Sequence, residues 1–179
     1  MVKISYLQMV LAISAAWMVV RGICLFRKKA FSWRRELQLL LVYICIVVVV
    51  RFTFCPFGKL DGKIQPLLFD KEKIFPLWVN FAPFVYLFDY PTIREALLNL
   101  IGNIAMFVPL GIVWPAVFKK LDTHGKVMAA GLGVSVTIEV LQLPFFNRAS
   151  DIDDLILNTL GFAAGYAIYL LTKKTRKGK

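Results

Sequence analysis

The sequence predicts an all-α integral membrane protein, a bundle of about five transmembrane helices with one short interfacial or re-entrant segment. Three observations carry that prediction. Hydrophobic residues make up 59% of the 179-residue chain and mean hydropathy is +0.68, against roughly 45–50% apolar usage in soluble domains. The apolar residues fall in runs of the length, about 20 residues, that a helix needs to cross a bilayer core. Lys and Arg gather in short stretches between those runs, as the bias of basic residues toward cytoplasmic loops requires. The formal charge of +11 is therefore a topology signal and excludes a nucleic-acid partner as its explanation. The chain has room for several spans but for no separate soluble catalytic domain, so residues 1–179 read as one domain.

The first span runs from about Ile4 to Phe26. It is too long for a signal peptide and no small-residue cleavage site follows it, so it is expected to be retained. The second runs from about Leu37 to Phe57, the third from Leu97 to Phe118, the fourth from Val127 to Phe146 and the fifth from Leu155 to Leu171. Arg21 and Arg51 sit near the ends of the first two, where a long stem reaches the interface. Pro109 and Pro115 in the third and Pro144 near the end of the fourth predict local kinks. The segment Phe75–Tyr90 is apolar and aromatic but short and holds Pro76 and Pro83, so it reads as interfacial or re-entrant. Its Trp78, Phe81, Phe84, Tyr86, Phe88 and Tyr90 read as an interface belt. Gly161 and Gly165 form a GxxxG spacing, and Gly131 and Gly133 thin the fourth span. Close packing of spans four and five is the expectation. Cys24, Cys45 and Cys55 have neither metal-ligand spacing nor an even count, so no disulfide framework is expected.

Orientation follows from the basic residues. Loops Arg27–Glu36 and Lys119–Lys126 and the tail from Lys173 together hold thirteen Lys and Arg, and the opposite side seven. The expected topology is five spans in the plasma membrane, N-terminus outside and C-terminus cytoplasmic. A six-span alternative, in which Phe75–Tyr90 also crosses, gives the same count but exports the dense cluster after span one. Both arrangements place Phe146–Asp154 outside.

Polar groups then collect at one depth. Asn99 and Asn103 are four apart at the outer end of span three and share a helix face. Glu139 and Gln142 lie roughly 6–11 Å below the outer end of span four at 1.5 Å per residue. Asp151, Asp154 and Asn158 step by three and four at the entrance to span five, and Arg148 precedes them. A charge in hydrocarbon is costly, and intramembrane ionisable residues are functional by default. Glu139, Asp151 and Asp154 are thus candidate catalytic or ligand-binding carboxylates. Arg51 or Arg148 is a candidate ion-pair partner for Glu139. The asparagines can equally serve as hydrogen-bonded glue between helices, and Asp153 reads as a helix cap.

Asn99-Leu-Ile-Gly-Asn103 through Phe107-Val-Pro-Leu-Gly111 resembles the first signature of the VanZ-like family of membrane proteins. Ile138-Glu139-Val-Leu-Gln142, then Arg148, Asp151, Asp154 and Asn158-Thr-Leu-Gly161, resemble the second, and Asn80-Phe-Ala-Pro-Phe84 a shorter segment. The signature-bearing part is about 78–171. The resemblance implies a bacterial envelope protein associated with resistance to the glycopeptide teicoplanin, and brings no established mechanism.

The chemistry open to the pocket is narrow. His124, the single histidine, falls on the cytoplasmic loop, which excludes Ser-His and His-metal sites on the outer face. No HExxH, P-loop or dinucleotide fingerprint is present. Glu139, Asp151 and Asp154 can hold a divalent cation through oxygen ligands, or Arg51 and Arg148 can hold phosphate directly. Two readings follow: a protein that binds or shields a membrane lipid or lipid-linked cell-wall precursor, or an intramembrane enzyme that modifies one. A transporter ranks third, because no inverted repeat is visible.

Overall fold

The computed structural model describes residues 1–28, 31–55, 59–60, 63–75, 79–85 and 90–177. Five helices dominate: α1 (Tyr6–Lys28), α2 (Trp33–Phe54), α3 (Ile93–Val117), α4 (His124–Gln142) and α5 (Ile152–Lys177). Four are long and apolar enough to cross a membrane, namely α1, α2, α3 and α5. The 19-residue α4 is the shortest of the five and carries His124, Lys126, Glu139 and Gln142. Among the described residues, short strands lie before α1 and in the connections: β1 (Val2–Ile4), β2 (Lys59–Leu60), β3 (Lys63–Ile64), β4 (Leu67–Phe69), β5 (Val79–Asn80) and β6 (Ser150–Asp151).

Local chemistry explains where the helices begin. Ser5 and Gln8 form a capping box before α1: the Gln8 N–H donates to Ser5 Oγ at 3.2 Å, and the Ser5 N–H to Gln8 Oε1 at 2.8 Å. Thr92 and Thr123 cap α3 and α4 by accepting from Glu95 N at 3.2 Å and Lys126 N at 3.3 Å. Pro109 and Pro115 sit inside α3 without ending it, whereas α4 ends at Gln142, before Pro144 and four residues earlier than Phe146. The fifth helix begins at Ile152 rather than Leu155.

Named contacts give the direction of each helix. In α1 and α2, Ser14 meets Tyr43 at 2.6 Å and the Arg51 guanidinium lies 5.6 Å from the Tyr6 ring centre, so the two are antiparallel. Arg21 does not snorkel; its Nε donates to Glu36 at 3.1 Å, pairing the helices near their other ends. Arg35 at the start of α2 donates to the carbonyl of Val117 at the end of α3, which sets that pair antiparallel and satisfies a helix-terminal acceptor. Helices α4 and α5 are antiparallel, from Glu139 beside Asp151 through Ser135 beside Asn158 to His124 beside Tyr166.

The closest pair is α3 and α5, which run parallel. A Cβ on Gly161 would overlap the Ile104 carbonyl, one on Gly165 the Val108 carbonyl, and one on Gly111 the Phe162 carbonyl. The GxxxG surface of α5 thus receives α3, not α4 as its spacing beside Gly131 and Gly133 led us to expect. Gly131 has a separate use, leaving room for the Phe162 ring, while Gly133 faces open space. Phe107, Leu110, Val127 and Phe162 form the dry centre, each at most 1% exposed.

The connections tie one end of the bundle. β1 pairs antiparallel with β4, Val2 opposite Phe69 and Ile4 opposite Leu67. β5 pairs in parallel with β6, Val79 opposite Ser150 and Asn80 opposite Asp151. The N-terminus, the α2–α3 connection and the α4–α5 connection therefore share an end. The described residues of Phe75–Tyr90 form no helix, so they build no sixth span. Pro76, Trp78, Tyr86 and Phe88 lie outside the described residues, as does Phe57 at the expected end of span two. Phe81 and Phe84 are exposed.

Substituting Gly161→Ala or Gly165→Ala is expected to force α3 from α5 and lower the unfolding midpoint in detergent, at the cost of about 1–3 kcal/mol typical of overpacking. Gly133→Ala meets nothing within 4 Å and gains up to ~1 kcal/mol of helix propensity, so its midpoint should hold or rise. Equal losses at the three positions would refute the glycine contact.

Candidate functional site

The end of α2, the start of α3, the end of α4, residues 143–151 and the start of α5 enclose an open cavity of about 450 Å³. Its wall carries Asn99 and Asn103 from α3, Glu139 and Gln142 from α4, and Arg148 from the turn. Asp151 from β6 and Asp154 and Asn158 from α5 complete the eight ligand-binding candidates. The structure brings these together and leaves Arg51 out. The Arg51 Nη1 donates to the Cys55 carbonyl at 3.1 Å, and its guanidinium lies over the Tyr6 and Phe52 rings. It forms no ion pair with Glu139.

Helical spacing and the α3–α5 contact place the polar groups. Asn103 Nδ2 donates to Asn99 Oδ1 one turn earlier at 2.6 Å and to Asp154 Oδ1 across the interface at 2.5 Å. The Asn99 amide in turn donates to the Tyr90 hydroxyl. Glu139 Oε2 accepts from the Asp151 N–H at 3.0 Å, and its backbone carbonyl accepts from Ser150 Oγ at 2.6 Å. Gln142 Nε2 donates to the Thr53 carbonyl at 2.8 Å, closing α4 onto α2. Arg148 Nε donates to the Phe54 carbonyl at 3.1 Å. Asn158 Nδ2 donates to Ser135 Oγ at 3.1 Å.

Two carboxylates play other parts than their spacing predicts. Asp151 belongs to β6, not to the helical face of Asp154 and Asn158. Its carboxylate accepts from the Asn80 amide at 3.2 Å and from the Asp153 N–H at 2.9 Å, so Asp151 starts the helix. Asp153, the expected cap, is 4% exposed and accepts from the Phe84 N–H at 2.8 Å. It pins a residue whose φ of 65° is unusual for a side-chain-bearing residue. Glu139, Asp151 and Asp154 do not form a cation cage: among the described residues no group of three or more His, Cys, Asp or Glu is placed to hold a metal ion.

Burial sets the electrostatics outside the spans. It holds the Arg148 guanidinium below its usual value, opposed by Cys55 and Asp154 nearby. It raises the Tyr90 phenol, assisted by Asp154, Asp151 and Asp153, so Tyr90 stays a neutral hydroxyl. Among the described residues the ion pairs are Arg21–Glu36 and Lys126–Asp122, and neither touches the cavity.

Residues unforeseen from the sequence complete the site. Lys73 Nζ donates to the carbonyls of Phe145 at 2.7 Å, Phe146 at 3.2 Å and Arg148, stapling the turn that carries the arginine. Tyr90, Thr53 and Ser135 are partners of expected residues, and only the asparagine of the Asn80–Phe84 segment carried a prior signal. The chemistry left over is telling. Gln142 Oε1, Arg148 Nη2, Asp153 Oδ2 and Asn158 Oδ1 are buried without a hydrogen-bond partner. Trp114 Nε1 shares that state elsewhere in the bundle; such groups cost about 1–3 kcal/mol each, and three of the five residues line one cavity. The arrangement is a polar-lined cavity with both donor and acceptor atoms left unpartnered.

The VanZ/LLP1 family description matches residues 40–173. Protein VanZ of Enterococcus faecium is 36% identical over 76 residues, covering 42% of this chain and 47% of that protein. The chain thus aligns with about half the length of that curated relative. No solved structure matches it.

Lys73→Met keeps the stem and removes the donor to three carbonyls, each bond to a charged group being worth about 1.5–3 kcal/mol. Backbone amides of residues 145–149 should exchange hydrogen markedly faster while those of α3 and α5 keep their protection. Unchanged exchange at the turn would show that Lys73 does not hold it.

Proposed function

The chain belongs to the VanZ/LLP1 family, and on that premise we propose a bacterial envelope membrane protein that contributes to resistance against teicoplanin and related lipophilic glycopeptides. It does so by binding or shielding a membrane-lipid headgroup or lipid-linked cell-wall precursor at the outer leaflet. The observation that carries this reading is the set of buried, unpartnered polar atoms on Gln142, Arg148 and Asn158 around one cavity. A polar headgroup satisfies groups of that kind, and a bilayer supplies lipid beside them. The Arg148 guanidinium is suited to an oxyanion, since planar donor pairs match phosphate and carboxylate geometry.

The orientation belongs to the same reading, with the cavity end and N-terminus outside and the C-terminus cytoplasmic, as the basic loops require. Ser150 is buried and a poor reporter, but Phe146 is 58% exposed and Thr175 is also exposed. In a background lacking Cys24, Cys45 and Cys55, Phe146→Cys should react with an impermeant maleimide on intact cells and Thr175→Cys only after lysis. The reverse pattern would invert the topology.

Glu139→Gln and Asp154→Asn keep side-chain shape while removing charge. Expressed at wild-type level in a susceptible bacterium, both should lose most protection against teicoplanin, with little change toward a less lipophilic glycopeptide. Full protection by both variants would make the carboxylates structural. Loss of protection together with loss of a chemically altered lipid, present only with the wild type, would instead make the cavity an enzyme's.

A further inference from the structure

The cavity brings acidic and basic side chains together without pairing them. Four carboxyl side chains line it (Glu95, Glu139, Asp151 and Asp154), and Arg148 is the one basic residue among its lining. Among the described residues, no carboxylate comes within the 4.0 Å of an Arg148 nitrogen that defines an ion pair. Its Nη2 is buried and unpartnered, as is Gln142 Oε1, a second group on the same wall and only 4% exposed. Asp154 meanwhile is held by Asn103 on the α3 side. Charges of opposite sign in a partly dry space attract strongly unless something between them takes both up. A purely anionic ligand would meet Arg148 but also the carboxyl groups around it, and a purely cationic one would leave Arg148 unmet.

The wall also has an apolar side. Phe52, 37% exposed, and Leu98, 48% exposed, line the cavity from α2 and α3. Leu98 is shared with a largely apolar furrow on α3 formed with Ile93, Leu97, Ile101 and Arg94. A second apolar hollow behind Glu139 is separated from the cavity by the Asp151 N–H bond to Glu139. Among the described residues, the α3 furrow adjoins the cavity through Leu98.

We propose that the occupant is an amphiphile with a zwitterionic headgroup, its phosphate on Arg148, its ammonium on the Asp154 side and its chain along Leu98 and the α3 furrow. This rests on the headgroup-binding reading above and names the class of headgroup. Electrostatic complementarity of this kind acts on specificity more than on raw affinity, so the test is a ranking of ligands.

Purified protein in a mild detergent would be titrated with four probes, and retention read by native mass spectrometry. The probes are dioleoyl phosphatidylethanolamine, the anionic dioleoyl phosphatidylglycerol, a cationic dioleoyl trimethylammonium lipid and chain-free phosphoethanolamine. The ethanolamine lipid should be retained at least about tenfold more tightly than either singly charged lipid, a step of ~1.4 kcal/mol, and the chain-free probe least. Asp154→Asn should erase its advantage over the anionic lipid, and Arg148→Gln its advantage over the cationic one. Should Arg148→Gln fail to fold, because Nε also supports Phe54, the wild-type ranking and Asp154→Asn decide. Equal retention of the zwitterionic and anionic lipids overturns the zwitterion while headgroup binding stands. Tight retention of free phosphoethanolamine overturns the chain contact, and selective retention of no probe overturns both proposals.

Discussion

Everything at the site depends on how closely α3 approaches α5. Within a bilayer, helices gain little from hiding apolar surface, because lipid chains are as apolar as leucine; close van der Waals packing takes over. Gly111, Gly161 and Gly165 let backbone carbonyls fill the space where side chains would stand. That contact fixes the register and rotation of two parallel helices together. Asn103 then faces Asp154, about two turns before Gly161 along α5. On its other side α5 presents Asn158 and Phe162 to Ser135 and Gly131 of α4. A larger residue at Gly161 would displace the floor of the cavity as well as the packing.

The second constraint is polar satisfaction. Backbone at membrane depth is tolerated only where its donors and acceptors are met, and the irregular end of this bundle shows how. Asn80 and the β5–β6 pair hold Asp151, Asp153 holds Phe84, and Lys73 gathers the carbonyls of the turn before Arg148. Asn147 adds bonds to Leu68 and Pro66. Against that well-bonded frame, the unpartnered atoms of Gln142, Arg148 and Asn158 belong to residues around one cavity.

Residue spacing made much of this legible before any coordinates. Asn99 with Asn103, and Glu139 with Gln142, share faces because helical geometry alone decides it, and charge at depth marks one end of the bundle. What spacing could not reveal was partner choice. Gly161 and Gly165 announce a close contact but not whether α3 or α4 makes it. Arg51 and Arg148 were equivalent as cations until the rings of Tyr6 and Phe52 took the first and the Phe54 carbonyl the second. Asp151 and Asp153 exchanged expected roles because β5, distant in sequence, pairs with β6 and turns the chain just before α5. Lys73 carried no signal, since a loop lysine reads as a topology charge whether or not it staples a turn.

The central claim is that the cavity between Arg148 and Asp154 holds the polar end of a lipid, and a high-resolution experimental structure of the protein extracted with its native membrane lipid tests it most directly. The account predicts headgroup density touching the Arg148 guanidinium and reaching Asp154, continuous with a chain leaving past Leu98. Arg148 closed directly onto Asp154 with no ligand between them, or lipid confined to the outer faces of the helices, would contradict it.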